Sequence, residues 1–309
     1  MKICDLWDTL YMMNGDNELF LKTALRLASK VGAQAVVIHT DPLDDLIYRE
    51  RIPKRRKLVL ITKKKRLESA EEHRESLVQK AQAILTIPRI SLTRISLVKI
   101  GTTLALSQEI VKPGAKMVFA VGPSESGPLD LIQVVDTSRE SEVIAGRGVT
   151  RISELVQPDL FQAILNLAVE LADTGREGKP IGTAFIVGDH EKVMQLSKQM
   201  IMNPFKGYDE DDRNIVATSM KETIREFAAM DGAFVIADDG TILAAGRYLG
   251  AAIEESNLPR GLGSRHIAAA GITTLTRAVA FVISESSGDV RIFRDGRIVM
   301  HIEKAPSKK

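Results

Sequence analysis

The sequence predicts an α/β protein of two domains, and three observations carry that reading. The first half alternates short continuous apolar runs with helical periodicities, the pattern of a mostly parallel, doubly wound sheet. The second half contains Asp239-Gly240 and Asp295-Gly296, each set between apolar runs, which is hairpin chemistry in a mixed α/β domain. The length, 309 residues, allows two separate cores. The break is placed at Gly146-Arg147-Gly148, giving domains 1–148 and 149–309.

In chain order, residues 17–31 carry Leu21, Ala24, Leu25 and Ala28 at helical spacing and stop at Gly32. Residues 34–38 and 57–62 are apolar strands, and 68–85 read as a helix with mixed charges on a solvated face. A strand over 95–100, a helix over 102–110 and a strand over 116–121 follow, the last ending at Gly122-Pro123. The second domain reads as a helix over 152–172 interrupted at Pro158, a strand over 182–187, and helices over 190–200 and 213–227. Strands over 234–237 and 241–249 form the first hairpin, and Ser264 caps a helix over 266–276. Strands over 278–284, 290–293 and 298–302 precede a frayed polar tail at 304–309.

Composition narrows the function classes. Apolar and charged fractions of 44% and 27% are those of a globular protein, and a net charge of +2 gives no global pull toward nucleic acid or acidic membrane. Cys4 is the sole cysteine, which excludes a disulfide framework and a Cys-ligated zinc site and fits a reducing cytoplasm. Residues 1–13 contain Asp5 and Asp8 without a basic leader, so no signal peptide is expected. No apolar run approaches the roughly twenty residues of a membrane span.

In the first domain, His39-Thr40-Asp41, Gly101-Thr102-Thr103 and Gly122 to Gly127 are candidate ligand loops, or ordinary capped turns. The outline is similar to the C-terminal domain of pyruvate kinase, an analogy of architecture alone. Lys54, Arg55, Arg56, Lys57, Lys63, Lys64, Lys65 and Arg66 flank the apolar strand over 57–62. With only Tyr48 nearby to stack a base, they read as charges protecting an edge strand more readily than as a nucleic-acid surface. His73, His190 and His301 read as surface or structural.

The chemistry concentrates in residues 231–271. Gly261-Leu262-Gly263 before a helix lets the backbone approach an anion, and Arg265 and His266 add donors on the first turn. Asp231 precedes the hairpin that leads there. A carboxylate beside a phosphate-binding corner repels phosphates unless a divalent metal lies between them, which suggests a metal-bound nucleotide triphosphate. Taken singly, the same residues are also ordinary: a turn Asp, a helix cap, a surface ion pair.

Together, Asp231-Gly232-Ala233 and Gly263-Ser264-Arg265-His266 resemble the catalytic motifs of the diadenylate cyclases, which make cyclic di-AMP. The resemblance runs through Ala268-Ala269, the strand over 279–284 and Glu285, and covers residues 175–302. Pro204-Phe205-Lys206-Gly207-Tyr208 and Gly175-Arg176-Glu177-Gly178-Lys179-Pro180 are similar to the archaeal branch. Ser264 stands where the family usually has Thr, and Ile267 where many members carry a second Arg.

The resemblance implies a C-terminal diadenylate cyclase domain that condenses two ATP into cyclic di-AMP and two pyrophosphates with Mn²⁺ or Mg²⁺. It implies Asp231, Arg265 and His266 as catalytic residues and Asp231 with Glu285 as metal ligands. The implied ATP site comprises Gly232, Ala233, Tyr248, Leu249, Gly263, Ser264, Arg265, His266 and Glu285. Each ATP is both nucleophile and electrophile, so the implied assembly is a homo-oligomer with facing catalytic domains. A non-enzymatic adenine-nucleotide sensor and a nucleic-acid binder using residues 54–66 are the alternatives.

Overall fold

In the computed structural model the chain forms two units, Met1–Val143 with Ala305–Lys309, and Ile144–Lys304. The structure describes residues 3–43, 56–64, 76–123, 127–139, 156–175, 177, 179, 181–217, 219–251, 259 and 261–305, and of residues 3–15 only the helical backbone. The Gly146-Arg147-Gly148 break, Tyr48, Lys54, Arg55, Lys65, Arg66, His73 and Arg176 lie outside the described residues.

The first unit is built on five strands: β1 (Ala35–His39), β2 (Lys57–Thr62), β3 (Ala83–Thr86), β4 (Lys116–Val121) and β5 (Leu131–Asp136). Their order is β3-β2-β1-β4-β5. β1 to β4 are parallel, and β5 is antiparallel to β4. Helix α1 (Ile3–Val31) places Leu21, Ala24, Leu25 and Ala28 against Val36, Ile38, Leu58, Leu60, Val118 and Ala120 on one face. Each buried Leu, Ile or Val among them contributes about 1.5–3 kcal/mol. After the short helix α2 (Leu77–Lys80), helix α3 (Arg94–Ser107) packs on β3 and β4, with Gly101 over Phe119 and Ile61 on the opposite face. Helices therefore cover both faces.

Several sequence expectations are corrected here. Residues 95–100 are helical, because α3 is buried on nearly every side and so lacks the polar stripe that marks a helix. Gly101-Thr102-Thr103 is consequently mid-helix and not a ligand loop, and the two Thr hydroxyls donate to the carbonyls of Val98 and Lys99 at 2.8 and 3.0 Å. The expected helix over 68–85 ends in a strand at Ala83–Thr86, its first residues lying outside the described set. β2 is an interior strand between β1 and β3, so its flanking bases protect no edge. Lys57 Nζ instead donates to the Ile110 carbonyl at 2.6 Å.

The second unit is built on seven strands: β6 (Ala184–Val187), β7 (Ser197–Gln199), β8 (Ala233–Ile236), β9 (Ile242–Leu249), β10 (Val279–Ile283), β11 (Val290–Arg294) and β12 (Arg297–Ile302). The order is β12-β11-β10-β6-β8-β9-β7, with β6–β8 the parallel pair and the other pairs antiparallel. Strand alternation divides the core. Ala184, Ile186, Val235, Ala280 and Val282 meet Ala269, Ala270 and Ile272 of helix α7 (Ser264–Leu275). On the other face, Phe161 of α4 (Pro158–Thr174) stacks on Phe281 at 5.4 Å, and Phe185 on Phe234 at 5.0 Å.

Pro158 starts α4 instead of interrupting it, because a first-turn nitrogen needs no intrahelical partner. The helix expected over 190–200 stops as α5 (His190–Gln195), since Ser197–Gln199 pairs with β9. That expected over 213–227 shortens to α6 (Met220–Ala228), because Asn214 bridges to Thr241 at the hairpin. Lys304 is not frayed: its Nζ lies 2.7 Å from Asp173, while residues 306–309 are outside the described set. No helix among the described residues is long and apolar enough to cross a membrane.

Candidate active site

The strand directions create one rim from distant residues. β6 and β8 begin where β9 and β10, antiparallel to them, end. Asp231 therefore stands just before β8, Glu285 just after β10, and Tyr248 and Leu249 at the end of β9, all on the rim where α7 starts. Arg265 joins the two acids. Its Nη2 lies 3.0 Å from Asp231 Oδ1 and its Nη1 3.2 Å from Glu285 Oε2. The carboxylates are 82% and 62% exposed, so this bridge adds little stability and leaves both acids open to a ligand.

Three openings meet at Arg265. A cavity of about 560 Å³ is lined by Gly263, Ser264, His266, Ser284, Glu285 and Arg291, a set rich in hydroxyls and cations. One of about 240 Å³ is walled by Ala233, Tyr248, Leu249, Met200 and Ala268, with Asp231 at its edge. The third, about 360 Å³, adds Lys179, Glu177 and Gly182. The first suits phosphate oxygens and the second a flat heterocycle.

α7 is entered differently from the sequence expectation. Gly263 is the N-cap and Ser264 the first helical residue, so the Ser264 side chain makes no capping bond and faces the first two openings. The first intrahelical bond is donated by His266 N to Gly263 O, at 3.0 Å, so the amides of Ser264 and Arg265 precede it, as anion-binding amides do. His266 itself is 5% exposed. Burial and then the neighbouring Arg291 push its pKa down to about 4, so the ring is neutral near pH 7.

Two glycines make the rim possible. Gly232 adopts φ +106°, and a Cβ there would lie 2.6 Å from the Gly246 carbonyl carbon and 2.7 Å from Arg247 N. Gly232→Ala is expected to cost more than about 2 kcal/mol, since both the left-handed backbone and an unyielding strand oppose it. A chemical-denaturation midpoint unchanged in that variant would contradict the packing argument. Gly182 leaves room for the acid–guanidinium bridge: a Cβ would sit 2.9 Å from Arg265 Nη1 and from Glu285 Cβ.

Sequence reasoning missed Gly182, Lys179 and Arg247. Arg247 is buried in β9 and donates to Ser197 Oγ at 2.9 Å and to the Met194 and Ser197 carbonyls at 2.7 and 2.6 Å, which fixes the strand bearing Tyr248. An Arg inside an otherwise apolar strand was the available signal. Tyr248 is 59% exposed, so it walls a cleft and is not core packing.

Among the described residues no cluster of three or more His, Cys, Asp and Glu side chains is placed to hold a metal ion. Asp231 and Glu285, sharing one cation, are a fitting set for a hard divalent ion that takes one or two carboxylates and completes its shell with phosphate oxygens.

Comparison with known proteins identifies relatives of this chain. Residues 170–298 match the family described as DisA bacterial checkpoint controller nucleotide-binding. The chain is 38% identical over 211 residues to a diadenylate cyclase of Methanocaldococcus jannaschii, covering 68% of this chain and 67% of that protein. This chain belongs to the diadenylate cyclase family. A diadenylate cyclase of Haloferax volcanii is 35% identical over 206 residues, 67% of this chain and 74% of its own. Among solved structures, DacA from Staphylococcus aureus aligns with the cyclase over 45% of this chain and 83% of that one, at 22% identity and a TM-score of 0.32. Both motif clusters that suggested the family, Asp231-Gly232-Ala233 and Gly263-Ser264-Arg265-His266, fall inside the matched segment.

Proposed function

We propose that this diadenylate cyclase binds one ATP in the rim cleft and joins it to a second ATP held by another copy of the chain. The observation that carries the reading is the convergence of Asp231, Arg265 and Glu285 beside an apolar wall. The adenine lies against Tyr248, Leu249 and Ala233, with Gly232 allowing close approach. Gly263, Ser264, Arg265, His266 and the free amides that open α7 at Ser264 and Arg265 hold the phosphates. Asp231, supported by Glu285, would hold Mn²⁺ or Mg²⁺ together with the nucleotide's own oxygens, and such an ion would supply polarisation of the attacking hydroxyl and offset phosphate charge.

Each 3′-hydroxyl attacks the α-phosphorus of the opposite nucleotide, a phosphodiester forms, and pyrophosphate leaves. Two such transfers close the ring. Arg265 stabilises charge growing on the departing pyrophosphate. One cleft offers one set of these groups, so the reaction needs two clefts facing across a two-fold axis. Holding both nucleotides in line replaces a bimolecular encounter, worth up to ~7–11 kcal/mol in favourable systems. We assign residues 149–309 to the cyclase. Residues 1–148, with their pyruvate-kinase-like outline, are assigned to assembly or regulation.

The test is incubation of the full chain with ATP and Mn²⁺ or Mg²⁺, followed by chromatographic separation of nucleotides. Cyclic di-AMP and pyrophosphate should appear in a ratio of about 1:2, as the two transfers require. Turnover per subunit should fall by up to about tenfold for each tenfold dilution once pairing dissociates. ATP bound but returned unchanged would instead identify a nucleotide sensor. A per-subunit rate that ignores dilution counts against transient pairing.

A further inference from the structure

A second guanidinium reaches the larger cavity from β11. Arg291 Nη1 lies 3.3 Å from His266 Nε2, and Arg291 lines the same space as Ser264 and Arg265. Its other amino group is held by Asp289 at 3.4 Å, and that carboxylate also receives His301 Nε2 at 3.1 Å. The Arg291 side chain is 16% exposed, so it is fixed by these partners and not a free surface cation.

The chemistry of this contact has one reading. A guanidinium carries donors only and keeps its proton, so the imidazole nitrogen facing it must supply a lone pair. A neutral imidazole has a single N–H. With Nε2 accepting, the proton sits on Nδ1. That atom lies on the Gly263 side of the ring, 4.0 Å from where a Cβ on Gly263 would be, beside the turn that opens α7.

We propose that Arg291 is a positioning residue that holds His266 as the neutral Nδ1–H tautomer, so that the ring offers the phosphate cavity a hydrogen-bond donor without a charge. The functional half of this assignment rests on the reading of that cavity as the phosphate site. The surroundings support it. Burial disfavours the charged ring most, then Arg291, His301 of β12 and Arg265 of α7, while Asp289 alone favours protonation. Phe293 covers the ring at a centroid distance of 6.0 Å. The next residue on α7 is Ile267, which brings no charge, so the second guanidinium at this turn comes from across the sheet on β11. The donor is then constant across the working pH range, whereas an unrestrained histidine would change state within it.

The test uses the full chain labelled with ¹⁵N-histidine, without nucleotide, and long-range proton–nitrogen spectra that report which ring nitrogen is protonated. His266→Gln identifies the signal. In the wild type His266 should be neutral and protonated on Nδ1 from pH 5.5 to 8.5. Arg291→Met should populate the Nε2–H form and let the ring titrate toward the ordinary value near 6.5, and Arg291→Lys should restore part of the wild-type state. Cyclic di-AMP formation by Arg291→Met should then fall about fourfold between pH 8 and pH 6 relative to wild type, the fraction of neutral ring that such a pKa leaves.

Wild-type His266 protonated on Nε2 overturns the proposal. So does an Arg291→Met spectrum that matches the wild type in tautomer and titration. If that variant does not fold, the wild-type tautomer decides alone. The expected tautomer in a protein that makes no cyclic di-AMP counts against the functional reading and not against the lock.

Discussion

Asp231→Asn is expected to lower cyclic di-AMP formation by about 10³-fold, the upper range for removing one group that stabilises transition-state charge. Asparagine keeps the shape but removes the negative charge, so it neither attracts a divalent ion nor balances Arg265. The fold should survive, because Asp231 is 82% exposed and its carboxylate pairs with Arg265 on the rim. A melting transition within about 0.5 kcal/mol of wild type, as usual for surface substitutions, would accompany the lost activity. Wild-type turnover in this variant would remove Asp231 from the mechanism.

The second large effect is at Arg265, the side chain lining all three openings. Arg265→Met should cost about 10²–10³-fold in turnover. Arg265→Lys should recover only a part of that, since an ammonium cannot span two carboxylates as the planar fork does. Without the guanidinium, Asp231 and Glu285 lose the cation they share, at 3.0 and 3.2 Å in the wild type. Mn²⁺ titration without nucleotide should therefore show tighter binding in Arg265→Met than in wild type. Weaker or equal metal binding would mean that the two acids do not form a common site.

These expectations also show where local reading works. Asp239-Gly240 announced the hairpin and the strands around it because turn chemistry is written in adjacent residues. The apolar strands β1, β2 and β4 were likewise legible, each a short run between breakers. The residues that converge on the rim were legible through two compact motifs, one leading into β8 and the other opening α7.

Errors fell where distant partners decide. Residues 95–100 look like a strand because nearly every side of α3 is covered by protein, and a helix without a wet face has no visible period. Residues 83–86 and 197–199 became strands because β2 and β9 offered free edges, which nothing within those segments records. Ser264 was expected to cap α7, but Gly263 takes that place and frees the hydroxyl.

What the amino-acid order determined alone was the α/β class, the hairpins, and which short motifs carry charge and backbone freedom, since all of these arise from neighbouring residues. Only the tertiary structure decided that Arg265 meets Asp231 and Glu285, that Gly182 makes room for them, and that Arg291 reaches His266. Those meetings depend on strand order and direction across the sheet. Pairing energies between segments tens of residues apart set that order, and no local pattern encodes them.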